Sequence, residues 1–197
     1  MLLLLLFLWG CGRARTTDSA PEAALAVDPD HLDPPYRNEQ LGAAFSPPLG
    51  WRPLEPDQRD RIAAVLTEVQ EGQDGYSLEL ADLFLRAETM SFAALSRVSR
   101  GGEPVREPAA YIAAFAERVG AAEEDRLAAR TDFTVNGVAI TQFRHTQSER
   151  VTFTLVFASR SGELLQLNYS IPPQAYETEG PKLASSVGTI RHMEERP

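Results

Sequence analysis

Apolar and polar positions alternate with two different periods along this chain, and the switches between them mark its elements. Val151, Phe153, Leu155 and Phe157 lie on one side of a period-two run, with Thr152 and Thr154 between them. Leu165, Leu167, Tyr169 and Ile171 repeat the pattern beyond a Ser161-Gly162 turn, so the two runs are neighbouring antiparallel strands. Asn136-Gly137, flanked by Phe133, Val135, Val138 and Ile140, predicts a two-residue type I′ hairpin. Helical spacing takes over in residues 57–70, where Ile62, Val65, Leu66 and Val69 form one stripe. Asp57 and Asp60 sit at the positive end of that helix dipole, and Gly72 and Gly75 end it. A second helix is predicted over 108–122, with Pro108 in its first turn and Tyr111, Ile112, Phe115 and Val119 facing inward. The chain closes with a third, Pro181 near its first turn and Leu183, Val187 and Ile190 on the buried side. Leu78 to Leu85 fits either helix or strand, while Leu41–Ser46 and Phe92–Ser99 read as extended. The pattern predicts an α+β fold, an antiparallel sheet with helices packed on it.

The first residues carry a different message. Leu2 to Leu8 is unbroken and apolar, too short for a span that needs ~20 residues, but matching the core of an export signal. The only cysteine, Cys11, follows directly after Gly10. Leu8-Trp9-Gly10-Cys11 resembles the lipobox of bacterial lipoproteins, although Trp9 is bulkier than the small or β-branched residue of that pattern. The resemblance implies a signal peptide over 1–10 and a mature chain beginning at an acylated Cys11, with three acyl chains. Two or more chains hold a protein stably at a bilayer, where one is marginal. Gly12 in place of Asp implies, by the sorting habit of that family, the outer membrane, with the domain facing the periplasm. Residues 11–33 are rich in Ala, Asp, Pro and Thr without an apolar period, and read as a tether with a reach of ~25 Å. Residues 34–197 then form one domain.

Composition narrows the function classes. The chain has 197 residues, 43% of them hydrophobic, and about 160 in the domain suffice to bury roughly 70% of its unfolded surface. A lone cysteine excludes an intrachain disulfide. Nineteen Lys and Arg against 28 Asp and Glu give a net charge of −9, which repels phosphate backbones and argues against nucleic acid.

Candidate chemistry is sparse. There is no Gly-x-Ser-x-Gly elbow, no Cys-x-x-Cys or His-x-x-x-His pair and no phosphate loop, so neither a catalytic set, a metal site nor a cofactor is expected. His31, His145 and His192 are scattered; His145 is the one placed to act as a general base, and without a partner in sequence it reads as an edge histidine. Glu123-Glu124-Asp125 reads as a solvated helix end, and the sequon Asn168-Tyr169-Ser170 lies in a predicted strand. Tyr36 and Trp51, beside Pro and Gly turns, are the candidate binding surface. For Trp51 the weight falls on packing, an indole closing one end of the sheet core with its N–H bonded to backbone.

Tyr36…Leu41-Gly42…Phe45 ahead of Pro48-Leu49-Gly50-Trp51, the central helix, the Val135-Asn136-Gly137 hairpin and the closing Ile171-Pro172…Tyr176…Ser185-Ser186-Val187…Ile190 together resemble the PsbP-like family. Two alanines separate Gly42 from Phe45 where that family has Gly-Phe, and residues 55–90 look more helical than its early hairpins. The resemblance spans about 36–191 and implies an α/β/α sandwich. It also implies a role as a binding or assembly subunit, with no shared catalytic site to carry over. The expectation is therefore a lipid-anchored envelope lipoprotein, not an enzyme, whose domain binds an envelope protein. The alternatives are an exported small-ligand carrier, or a hydrolase using Glu123, Asp125 or Glu163 with His145.

Overall fold

The computed structural model describes residues 25–70, 75–121, 126–147 and 149–193. Its centre is an antiparallel sheet in the order β3-β4-β5-β10-β9-β8-β7, with β6 paired to β5. The strands are β3 (Arg52–Pro53), β4 (Tyr76–Arg86), β5 (Ser91–Arg100), β6 (Glu103–Pro104), β7 (Arg126–Val135), β8 (Val138–Gln147), β9 (Arg150–Ala158) and β10 (Leu164–Ile171). A small second sheet joins the two ends of the domain, β1 (Tyr36–Asn38) beside β2 (Ala43–Phe45) beside β11 (Arg191–His192). The helices are α1 (Pro56–Gln70), α2 (Pro108–Ala121) and α3 (Tyr176–Val187).

The two strong period-two runs are β9 and β10, in register from Val151↔Ile171 to Ala158↔Leu164. Their apolar side joins Leu95, Trp51, Leu183 and Val187 in the larger core. The opposite side carries a smaller core, where Tyr111, Phe115 and Val119 of α2 cover Val98, Phe143, Val156 and Leu164. Layers α3, sheet and α2 therefore make the expected α/β/α sandwich.

β4 explains its own ambiguity. Its register with β5 shifts between Leu80 and Asp82, so Ala81 is an extra residue. Leu78, Leu80, Leu83 and Leu85 consequently share one face at spacings of two, three and two, a sequence that neither period describes. The Asn136-Gly137 hairpin forms as predicted, with φ of 49° and 76° at the two turn residues. A Cβ at Gly137 would meet nothing within 4 Å, so Gly137→Ala carries a backbone penalty alone. We expect it to cost about 1–2 kcal/mol, read as a lower urea midpoint with an unchanged m-value.

Three expectations are corrected. Pro181 is not in the first turn of α3 but inside it, because the 3-10 turn Pro173–Ala175 feeds directly into a helix that begins at Tyr176. Ile62, placed on the inward stripe of α1, is exposed, while the side chains of Val65, Leu66 and Val69 lie outside the described residues. Residues 25–33, assigned to the tether by composition, lie on the domain. The Asp28 amide donates to Ser185 Oγ at 3.2 Å, Leu25 packs against the larger core, and Leu32 bridges to Pro48.

Candidate functional site

Trp51 is 1% exposed and Glu179 of α3 equally so. The indole Nε1 donates to Glu179 Oε2 at 2.9 Å, a carboxylate where a backbone acceptor was expected. Oε1 of the same side chain faces Arg86 Nε at 3.3 Å and Lys182 Nζ at 3.2 Å. Lys182 is the only lysine in the chain. Arg86 also donates to the Leu49 carbonyl at 2.7 Å, crossing Gly50, whose φ of 84° and contact with that guanidinium both call for glycine. The Pro48-Leu49-Gly50-Trp51 segment is thus a clasp. It pins the loop before β3 to α3 through a buried carboxylate that has two cations and an N–H to satisfy it. Trp51 is consequently removed from the candidate binding surface.

Tyr36 is half-buried between Phe45 and Phe84, with ring centroids at 5.5 and 5.0 Å. Its hydroxyl donates to Asp82, and Asn38 Nδ2 donates to both at 3.0 and 3.1 Å. Arg59 of α1 stands 3.8 Å from the other oxygen of Asp82. Burial, followed by the bond to Asp82, pushes the Tyr36 phenol above its ordinary range. This second clasp holds the small sheet and α1 to β4.

A third polar set crosses the sheet beneath and beside α2. Strand register places Ser96 beside Gln166, Asn168 beside Thr154, and Ser170 beside Thr152, which in turn faces His145. Ser96, Thr152, Thr154, Gln166, Ser170 and His145 are all buried. Tyr111 donates to Gln166 Oε1, and burial raises its phenol to about 12, so it stays protonated at neutral pH. His145 Nε2 lies 3.4 Å from Thr154 Oγ1, with Phe115 edge-on at 6.1 Å. Arg150 closes this band at one end, donating from Nε to Ser170 Oγ at 2.7 Å and from Nη2 to the Met90 and Ser170 carbonyls.

Among the described residues, the histidines and Glu163 singled out by sequence do not converge. His145 is buried, not an edge residue. Its row on the sheet runs through Thr152 to Ser170, seven residues along β10 from Glu163, or about 23 Å. Glu123 and Asp125 lie outside the described residues, as does Cys11. His31 sits on the surface near Asp28, and His192 in β11 is held below its ordinary range by burial and by Arg160. Among the described residues no three His, Cys, Asp or Glu side chains are grouped to hold a metal ion, and no helix is long and apolar enough to cross a membrane. Sequence reasoning missed Glu179, Arg86, Asp82 and Gln166. No local signal marks them: Glu179 stands beside exposed Thr178, and Arg86 beside exposed Ala87.

One antiparallel sheet between α2 and α3, closed by strands from both chain ends, is the PsbP-like fold. The chain is similar in structure to cyanobacterial PsbP from Synechocystis sp. PCC 6803, with a TM-score of 0.51 and 13% identity over 86% of this chain and 96% of that one. A Pseudomonas aeruginosa protein of unknown function aligns with a TM-score of 0.43 and 17% identity, over 85% of this chain and 99% of that one. No family model matches the chain, and no curated protein matches its sequence.

Proposed function

We propose that the protein is an envelope lipoprotein, held in the outer membrane by an acylated Cys11, whose PsbP-like domain is a non-catalytic module for binding or assembling an envelope protein. The observation that carries the non-catalytic half is how the buried and half-buried polar groups are used. Glu179, Asp82, Gln166 and Arg150 each bond to other parts of the same fold, and their bonds join elements to one another. The anchoring half rests on the Leu2–Leu8 run and on the position of Cys11 after it.

The test is affinity capture of the tagged full chain from detergent-solubilised envelope, beside Cys11→Ala, with mass spectrometry of bait and prey. The expected result is a stoichiometric companion and a mature bait carrying three acyl chains, with Cys11→Ala recovered unacylated and largely released from membranes. A Cys11→Ala protein that partitions with membranes as wild type does would remove the anchoring half. An acylated bait without any companion would remove the assembly half.

A further inference from the structure

We propose that β7 is the contact strand of a twofold dimer, pairing antiparallel with β7 of a second copy of this chain about Thr131. The two edges of the large sheet differ. On the β4 side, β3 pairs with Arg52↔Leu85 and Pro53↔Phe84, and α1 lies alongside with Arg59 bonded to the Ala81 carbonyl. On the other side β7 ends the strand order, and over 129–133 no described strand or helix pairs with its outer backbone. A strand whose edge is open over such a stretch is a template for another strand.

The side chains decide which strand fits. The register of β7 with β8 shifts between Leu127 and Ala129, so the regular stretch begins at Ala129. Centred on Thr131, two copies place Arg130 opposite Asp132 and Asp132 opposite Arg130, with Ala129 opposite Phe133 at either end. Directly opposed residues share a face, so both Arg–Asp pairs form on the α2 side. The bulge closes the window at Ala129, and the twofold on Thr131 sets its other end at Phe133. The charges are already held in place. Arg130 lies 3.2 Å from Asp132 in its own strand and over the Phe143 ring at 5.9 Å, while Thr141 Oγ1 donates to Asp132 at 2.6 Å. Dimerisation turns each intrastrand pair into half of a four-charge ring of alternating sign. The −9 carried by each copy acts over longer distances and is largely screened beyond ~8 Å at physiological salt. Five paired residues bury less than the ~1,000 Å² of a stable interface, so the dimer is a concentration-dependent one.

Cysteine cross-linking in native envelopes tests the pairing and its register with the full chain. Thr131→Cys sits on the twofold, where opposed Cα atoms are ~4.5–5.5 Å apart and a disulfide closes. Ala129→Cys places its two thiols four residues apart along the strands, about 13 Å, too far to join. Under mild oxidant we expect a covalent homodimer from Thr131→Cys, and neither from Ala129→Cys nor from the exposed control Glu103→Cys. Adding Arg130→Asp or Asp132→Arg to Thr131→Cys should lower the yield about tenfold, and adding both should restore it. Trypsin resistance of each variant checks that the domain is intact. Equal cross-linking at 129 and 131, failure of the charge swap to restore, or a product containing a different protein would each overturn the proposal.

Discussion

Glu179→Ala is expected to lower stability by about 3–5 kcal/mol, enough to unfold a marginal domain of this size. The carboxylate is fully enclosed; it accepts from Trp51 Nε1 and Lys182 Nζ, and it pairs by charge alone with Arg86, whose Nε lies 3.3 Å away without a hydrogen bond. Deleting it strands a buried indole N–H beside two cations whose side chains are only 23% and 16% exposed. Uncompensated buried charge is the expensive outcome, more so than the small cavity left by the lost methylene and carboxyl. Glu179→Gln keeps the volume and an acceptor for the indole, so it should cost visibly less. Trp51→Phe removes the indole N–H together with the pyrrole ring and leaves a cavity in the core, and is expected to cost about 2–4 kcal/mol. The combination Trp51→Phe with Glu179→Ala should be less damaging than the sum, because both remove the same indole–carboxylate bond. Guanidinium unfolding of the four proteins gives the cycle directly. A loss below about 1 kcal/mol for Glu179→Ala would mean that water already serves those donors and the clasp is ornamental.

That clasp also shows where sequence reading stops. Trp51 and Glu179 are 128 positions apart, and nothing in either neighbourhood names the other. Short-range signals were legible: the Asn136-Gly137 hairpin, the alternation in β9 and β10, and the buried stripe of α2 all appear where local chemistry puts them. The polar half of that alternation carried no signal of its burial. Thr152, Thr154, Gln166 and Ser170 fit solvent by the rule for an antiparallel sheet, yet α2 and the Arg150 bridge bury them. β4 hid behind one extra residue, since a bulge breaks period two without creating 3.6. As for site chemistry, the sequence offered His145 and Glu163 as partners, and strand register alone separates them. Cys11, the most specific signal in the chain, lies outside the described residues, as does the Glu123–Asp125 cluster.

Gly188→Leu should cost about 3 kcal/mol and strip residues 25–28 from the domain. Gly188 follows α3 at φ −62°, a conformation any residue adopts, so its backbone does not require glycine. The requirement is space. A Cβ there would stand 2.7 Å from Val27 Cγ2 and 3.3 Å from Leu25 Cβ. The Val27 methyl is able to rotate away, but the Leu25 Cβ is fixed to its backbone, so the segment itself must shift. Gly188→Ala supplies the sharper reading because its sign differs between two pictures. With residues 25–28 docked, even one methyl is destabilising, and the Asp28 amide that donates to Ser185 should exchange faster with solvent. If the segment instead behaved as the loose tether its composition suggests, the same substitution would stabilise by about 0.4–1 kcal/mol, through the entropy removed from the unfolded chain. The sign therefore decides where the tether ends. Docking also fixes the end of the domain from which the tether leaves: the Gly188 end of α3, where Asn136 of the β7–β8 hairpin donates to the Gly188 and Ile190 carbonyls.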